Sequence, residues 1–278
     1  MNKKRIFQMI VLGVKQMRDP YYQGFAAQVG FYFLMSIVPT LIVLSQLLGF
    51  FSISLDALSV LIQKYVASDA ADIVLKLISS QSTSGMNIAF IGITLWAASR
   101  AEFALMRIAN YTLTGGRSTG KGYWRERIRA IKTMIVTLFT LAFGLVILVY
   151  GELILKIVAA ALMRNIGLNY EVDLFWLVIR WPITMALYFL MVSYTYYILP
   201  SHRLKFRQIM PGSIFASVGM LVVTSVYKIY TEYISNYDIL YGSMAALVAV
   251  MMWFYFLAWA LVLGILCNKV WADTTIPH

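Results

Sequence analysis

The stretch GSMAALVAVMMWFYFLAWALVLGILC, residues 242–267, runs for 26 residues without a formal charge. At 1.5 Å of rise per helical residue it exceeds the roughly 30 Å of hydrocarbon in a bilayer. A membrane strand would instead show segments of about ten residues with alternating polarity, and no such alternation is present here. The segment reads as a helix in lipid. The whole chain agrees: of 278 residues 61% are hydrophobic and 13% charged, with a mean hydropathy of +0.76. A soluble domain is nearer half apolar and a quarter charged.

Working outward, five more runs have the length and composition of a crossing, at about residues 25–51, 86–108, 133–155, 174–199 and 211–232. The expected architecture is therefore all-α, a polytopic bundle of six transmembrane helices in a single membrane domain over residues 1–278, with short amphipathic interfacial helices. The first run is too long for a signal-peptide core and is read as a retained anchor. The single cysteine, Cys267, excludes an internal disulfide framework.

Basic residues set the orientation. An even number of crossings places both termini on one side, which collects Lys3, Lys4, Arg5, Lys15, Arg18, the loop from Arg117 to Lys132, then Arg203, Lys205, Arg207 and Lys269. The opposite side has few cations and most of the acids. The positive-inside rule makes the rich side, with both termini, cytoplasmic. The pI of about 9.7 is then explained by topology and by anionic lipid headgroups at the basic loops, without a nucleic-acid partner. Tyr194, Tyr196, Tyr197 and Tyr227, Tyr230, Tyr233 read as interfacial belts.

Two segments lie outside the runs. Residues 1–20 form a cytoplasmic amphipathic helix, with Ile6, Met9, Ile10, Gly13 and Met17 on one face and Lys4, Lys15 and Arg18 on another, the pattern of a basic helix on the inner leaflet. Residues 53–85 carry two helical periodicities and read as external amphipathic helices.

Charges inside the apolar runs are the candidate site. LWAASRAEFALMRIAN, residues 95–110, contains Arg100, Glu102 and Arg107. Arg100 and Arg107, seven apart, share a helix face with Asn110 continuing it, while Glu102 projects elsewhere. An arginine at the centre of a spanning helix costs roughly 2.5–3.5 kcal/mol, less when it reaches toward headgroups. FWLVIRWPITMAL, residues 175–187, carries Arg180 before Pro182, at a depth where Glu152 is a partner. Pro39 and Pro182 are expected kinks that free backbone carbonyls, the one opposite Pro39 open to Ser36 or Thr40. A structural ion pair, an anion-attracting pathway and simple snorkelling all fit these residues. Gly212 with Ala216, Ser213 with Ser217, and Gly242 with Ala246 have the spacing of close helix contacts.

Soluble-type chemistry finds little support. The two histidines, His202 and His278, stand apart, no Cys, His, Asp or Glu cluster has metal-ligand spacing, and there is no P-loop. No cofactor, metal, catalytic residue or specific nucleic-acid partner is expected.

The pieces FAAQVGFYFLMSIVPTLIVL, LWAASRAEFALMRIAN, YYILP, MPGSIFAS and YGSMAALVAVMMWFYFLAWALVLGILCN, in that order, resemble the YihY/BrkB membrane protein family over nearly the whole chain. The resemblance implies a six-helix inner-membrane protein with transporter or envelope-lipid roles; the family's label "ribonuclease BN" conflicts with the absence of ligands for a catalytic metal. Members often end GAExN, whereas here Gly264 is followed by Ile265, Leu266, Cys267 and Asn268. Leu266 removes any role that rests on that carboxylate. The expectation is a transporter or lipid-translocating protein for an anionic or amphipathic solute, the alternative a non-transporting scaffold in envelope maintenance, with a ribonuclease third.

Overall fold

A computed structural model describes residues 3–50, 88–163, 172–201, 204–233 and 245–275. The expected external helices at 53–85 lie outside the described residues. Among the described residues there are eight helices and no strand: α1 Lys3–Met17, α2 Tyr21–Phe50, α3 Ile88–Ala98, α4 Arg100–Leu113, α5 Tyr123–Met163, α6 Val172–Ile198, α7 Phe206–Tyr233 and α8 Ala245–Thr275. Two segments, Phe206–Tyr227 in α7 and Leu247–Thr274 in α8, are long and apolar enough to cross a membrane. The 41 residues of α5 extend about 60 Å, twice the hydrocarbon thickness. Its first ten residues, Tyr123 to Lys132, are thus helical ahead of the apolar run expected from residue 133.

Residues 86–108 do not form one helix. α3 ends at Ala98, Ser99 forms a turn, and α4 runs on to Leu113. Two side chains take carbonyls at this point: the Ser99 hydroxyl donates to Trp96 O at 3.0 Å, and the Arg127 guanidinium donates to Trp96 O and Ser99 O. By contrast α2 continues through Pro39 and α6 through Pro182. Ser36 donates to Phe33 O at 3.0 Å, rather than to the carbonyl of Met35 that the proline faces.

By contacts the chain divides into two compact units. One comprises Met1–Ile37, Trp96–Met134 and Phe189–His278, the other Val38–Leu95 and Ile135–Tyr188. The core of the first is the α7·α8 crossing. Gly212 N donates to Asn268 Oδ1 at 2.8 Å, and the Tyr196 hydroxyl donates to Leu261 O at 2.6 Å. A Cβ on Gly212 would strike Gly264 O and Asn268, and one on Gly264 would strike the Tyr196 hydroxyl and Ala216. The small-residue spacing read at Gly212 and Ala216 is a close helix contact, made possible because two backbones meet without side chains between them. Tyr196 is buried at this crossing, so the belt expected at Tyr194, Tyr196 and Tyr197 loses its middle ring.

α1 packs against α8, with the Arg5 guanidinium 4.3 Å above the Trp271 ring. The apolar face expected on this helix is divided. Ile6, Ile10 and Met17 are exposed together with Phe7, Val11 and Val14, while Met9 and Gly13 are half-buried.

Candidate functional site

The polar chemistry of the first unit gathers where α4, the following loop, the start of α5 and the end of α6 meet. The loop turns through Gly115, Gly116, Gly120 and Gly122, all with positive φ, a conformation that glycine adopts without steric cost. At Gly120, φ 144°, a Cβ would also come within 2.9 Å of Glu126 Cγ and 3.2 Å of Asn110 Nδ2. This close approach lets Asn110 Nδ2 donate to Thr119 O at 3.2 Å while its Oδ1 accepts from Ser201 N at 2.7 Å. Glu126, only 3% exposed, accepts from Lys121 N at 2.9 Å and from the Ser201 hydroxyl at 2.5 Å through Oε1. Its Oε2 pairs with Arg129 at 2.9 Å. Arg129 Nη2 donates to the carbonyls of Ile198, Leu199 (3.2 Å) and Pro200 (2.8 Å). With Glu126 buried and Arg129 half-buried, the pair is sustained because its remaining donors and lone pairs are filled, and here a cation also meets the negative end of the α6 dipole.

One residue earlier, Arg127 plays the same part at α3. It is 2% exposed, donates to Trp96 O and to Ser99 O (3.4 Å), and stacks 4.2 Å above the Trp96 ring and 5.5 Å from that of Phe103. Among the described residues no acid forms an ion pair with it. Burial lowers its pKa below the ordinary arginine value, and the charge of Arg100 acts in the same direction. The basic segment Arg125 to Lys132, expected as a solvated topology signal, thus contributes two arginines that close helix ends.

At the α1–α2 junction Asp19 accepts from Tyr21 N at 3.0 Å, a helix cap, and from the Tyr111 hydroxyl at 3.0 Å. Tyr22 donates to Thr112 Oγ1 at 3.2 Å. The Tyr111 hydroxyl is pushed above its ordinary pKa by desolvation and by its bond to Asp19; burial does the same to Tyr22.

The expected site residues fall as follows. Arg100 is exposed and Arg107 half-buried, on the less buried side of α4 with Phe103 and Tyr111, whereas Glu102 is buried within electrostatic reach of Tyr194. Asn110 does not continue the arginine face: it is 2% exposed because both ends of its amide are bonded. Glu152 and Arg180 belong to α5 and α6, and their side chains lie outside the described residues. A shallow pocket among α4, α6 and α8, lined by Ala109, Leu113, Tyr196, Pro200, Ile265 and Asn268, contains none of these charges. Sequence reasoning missed Glu126, Arg127, Arg129 and Ser201. One signal for the first two exists: the buried stripe Ala142, Leu138, Met134, Ala130, extended backward at helical spacing, lands on Glu126 and Arg127.

The profile of the family described as "Virulence factor BrkB" matches residues 14–275. A Bacillus subtilis protein called ribonuclease-like protein YfkH is 29% identical over 251 residues, covering 87% of this chain and 87% of its own. A UPF0761 membrane protein of Chromohalobacter salexigens is 29% identical over 82 residues, 30% of this chain and 19% of that protein. One from Xanthomonas oryzae is 30% identical over 79 residues, 28% of this chain and 18% of that protein. No solved structure matches. With residues 14–275 matching the family profile and two described helices long and apolar enough to cross a bilayer, the chain is a membrane protein belonging to the BrkB family.

Proposed function

We propose that this protein is a six-span inner-membrane protein, with both termini cytoplasmic, that binds and moves an anionic amphiphile of the lipid class. The observation carrying this reading is that Arg100 and Arg107 stand on one side of α4 and that no described acid pairs with either. Cations at membrane depth are expensive without a counter-charge; a headgroup supplies one while its chains stay in hydrocarbon. Glu152 and Arg180 are proposed as further pathway residues from their sequence positions alone.

The test uses proteoliposomes containing a fluorescent anionic phospholipid and an impermeant quencher. Wild type accelerates loss of inner-leaflet fluorescence, and Arg100→Gln with Arg107→Gln lowers the rate about tenfold or more without loss of folded protein. Equal rates in empty and protein-containing vesicles refute translocation and favour the scaffold. The name borne by YfkH supports a second reading, a ribonuclease, for which the pure protein must cleave RNA in a metal-dependent manner.

A further inference from the structure

The break between α3 and α4 gathers positive charge and interfacial aromatics that the polar joint around Glu126 does not use. Arg100 opens α4 and is exposed. Directly behind it, Arg127 is bonded to Ser99 O and Trp96 O and stacked on Trp96 and Phe103. Carbonyl dipoles and ring faces hold this guanidinium in place and leave its charge standing, and its buried Nε has no hydrogen bond among the described residues. Arg107, two turns along α4, adds a third cation, without an ion pair among the described residues. Two cations side by side, one of them buried, repel each other in a medium where charge is poorly screened, and a bound anion relieves both.

The surroundings specify the anion. Tyr123 and Trp124, 54% and 69% exposed, flank the cluster: Phe103 and Tyr123 lie 5.5 Å apart and Trp96 and Trp124 6.1 Å apart between ring centroids. Such rings settle at headgroup level in a bilayer. Ile128 on α5, 54% exposed, carries the same surface into apolar ground. A free anion uses only the charge; a molecule with a phosphate and acyl chains uses the charge, the rings and the apolar flank.

We infer that the α3–α4 break is a binding site for an anionic phospholipid, its phosphate on Arg100 and Arg107 in the field of Arg127 and its glycerol and upper chains against Trp124. The inference rests on the membrane reading above and is independent of whether lipid is moved.

The experiment places the full-length protein in phosphatidylcholine nanodiscs containing a fixed fraction of brominated phosphatidylglycerol or brominated phosphatidylcholine. The signal is Trp124 quenching, isolated by difference against Trp124→Phe. Brominated phosphatidylglycerol quenches wild type preferentially, and the preference falls about fivefold for each arginine removed in Arg100→Gln and Arg107→Gln. The exposed pair Lys205→Gln and Arg207→Gln, at the start of α7, leaves it unchanged. Equal quenching by the two lipids in wild type, or a preference that survives the double replacement, overturns the site. Displacement of brominated phosphatidylglycerol by millimolar inorganic phosphate overturns the lipid assignment. Lost preference with unaltered translocation keeps the site and removes the transport reading; retained preference with lost translocation removes the site alone.

Discussion

Arg127 and Arg129 leave α5 two residues apart, and each closes a different helix, α3 and α6 respectively. The planar fork of arginine reaches several carbonyls at once, which the single ammonium of lysine does not. Arg129→Lys is therefore expected to destabilise the protein by about 1–3 kcal/mol, since Glu126 and the α6 carbonyls lose partners together; thermal unfolding of purified protein measures it. Gly120→Ala brings both a positive-φ penalty and the collision with Glu126, and costs about as much. Tyr111 gives a pH signature. Its native pKa lies above the unfolded value of about 10, so the native state holds this proton to higher pH than the unfolded chain. The stability from the Tyr111–Asp19 bond is complete below about pH 10 and is lost as pH rises through the native value. The unfolding-temperature difference between wild type and Tyr111→Phe should stay constant up to that pH and close above it.

At the scale of elements, the long apolar runs were legible because a continuous hydrophobic stretch of this length has few alternatives to a helix. The α7·α8 contact was legible from Gly212 and Ala216 for a similar reason, since small residues four apart mark where backbones approach. Gly264→Val should separate these helices from Tyr196 and lower stability by about 2 kcal/mol or more, seen as a lower unfolding temperature and exposure of Tyr196. The turn at Ser99 was not legible. Its flanks are good helix formers, and the group that takes the carbonyl of Trp96 comes from Arg127, 31 residues away. For the same reason, a row of arginines signals the cytoplasmic side but not which of them end helices. The burial phase of α5 distinguishes them, and it is read by placing Glu126 and Arg127 on the stripe of Ala130 and Met134.

For the whole molecule, composition and the order of motifs made membrane residence and family legible, because both are properties of long stretches. The site was legible only in part: Arg100, Glu102 and Arg107 share one helix, while the joint around Glu126 depends on contacts between segments far apart in sequence. The proposed six crossings with cytoplasmic termini predict that, in a Cys267→Ser background, Lys121→Cys reacts with impermeant maleimide only after the inner face is opened. Ser84→Cys should react in intact cells. The central claim, that the guanidinium groups of Arg100 and Arg107 on α4 meet an anionic headgroup, is tested most directly by an electron cryomicroscopy map of the protein in nanodiscs of anionic phospholipid. The account predicts phosphate density within salt-bridge distance of Arg100, in line with Trp124. Arg100 and Arg107 extended into water, with no headgroup beside them, would contradict it.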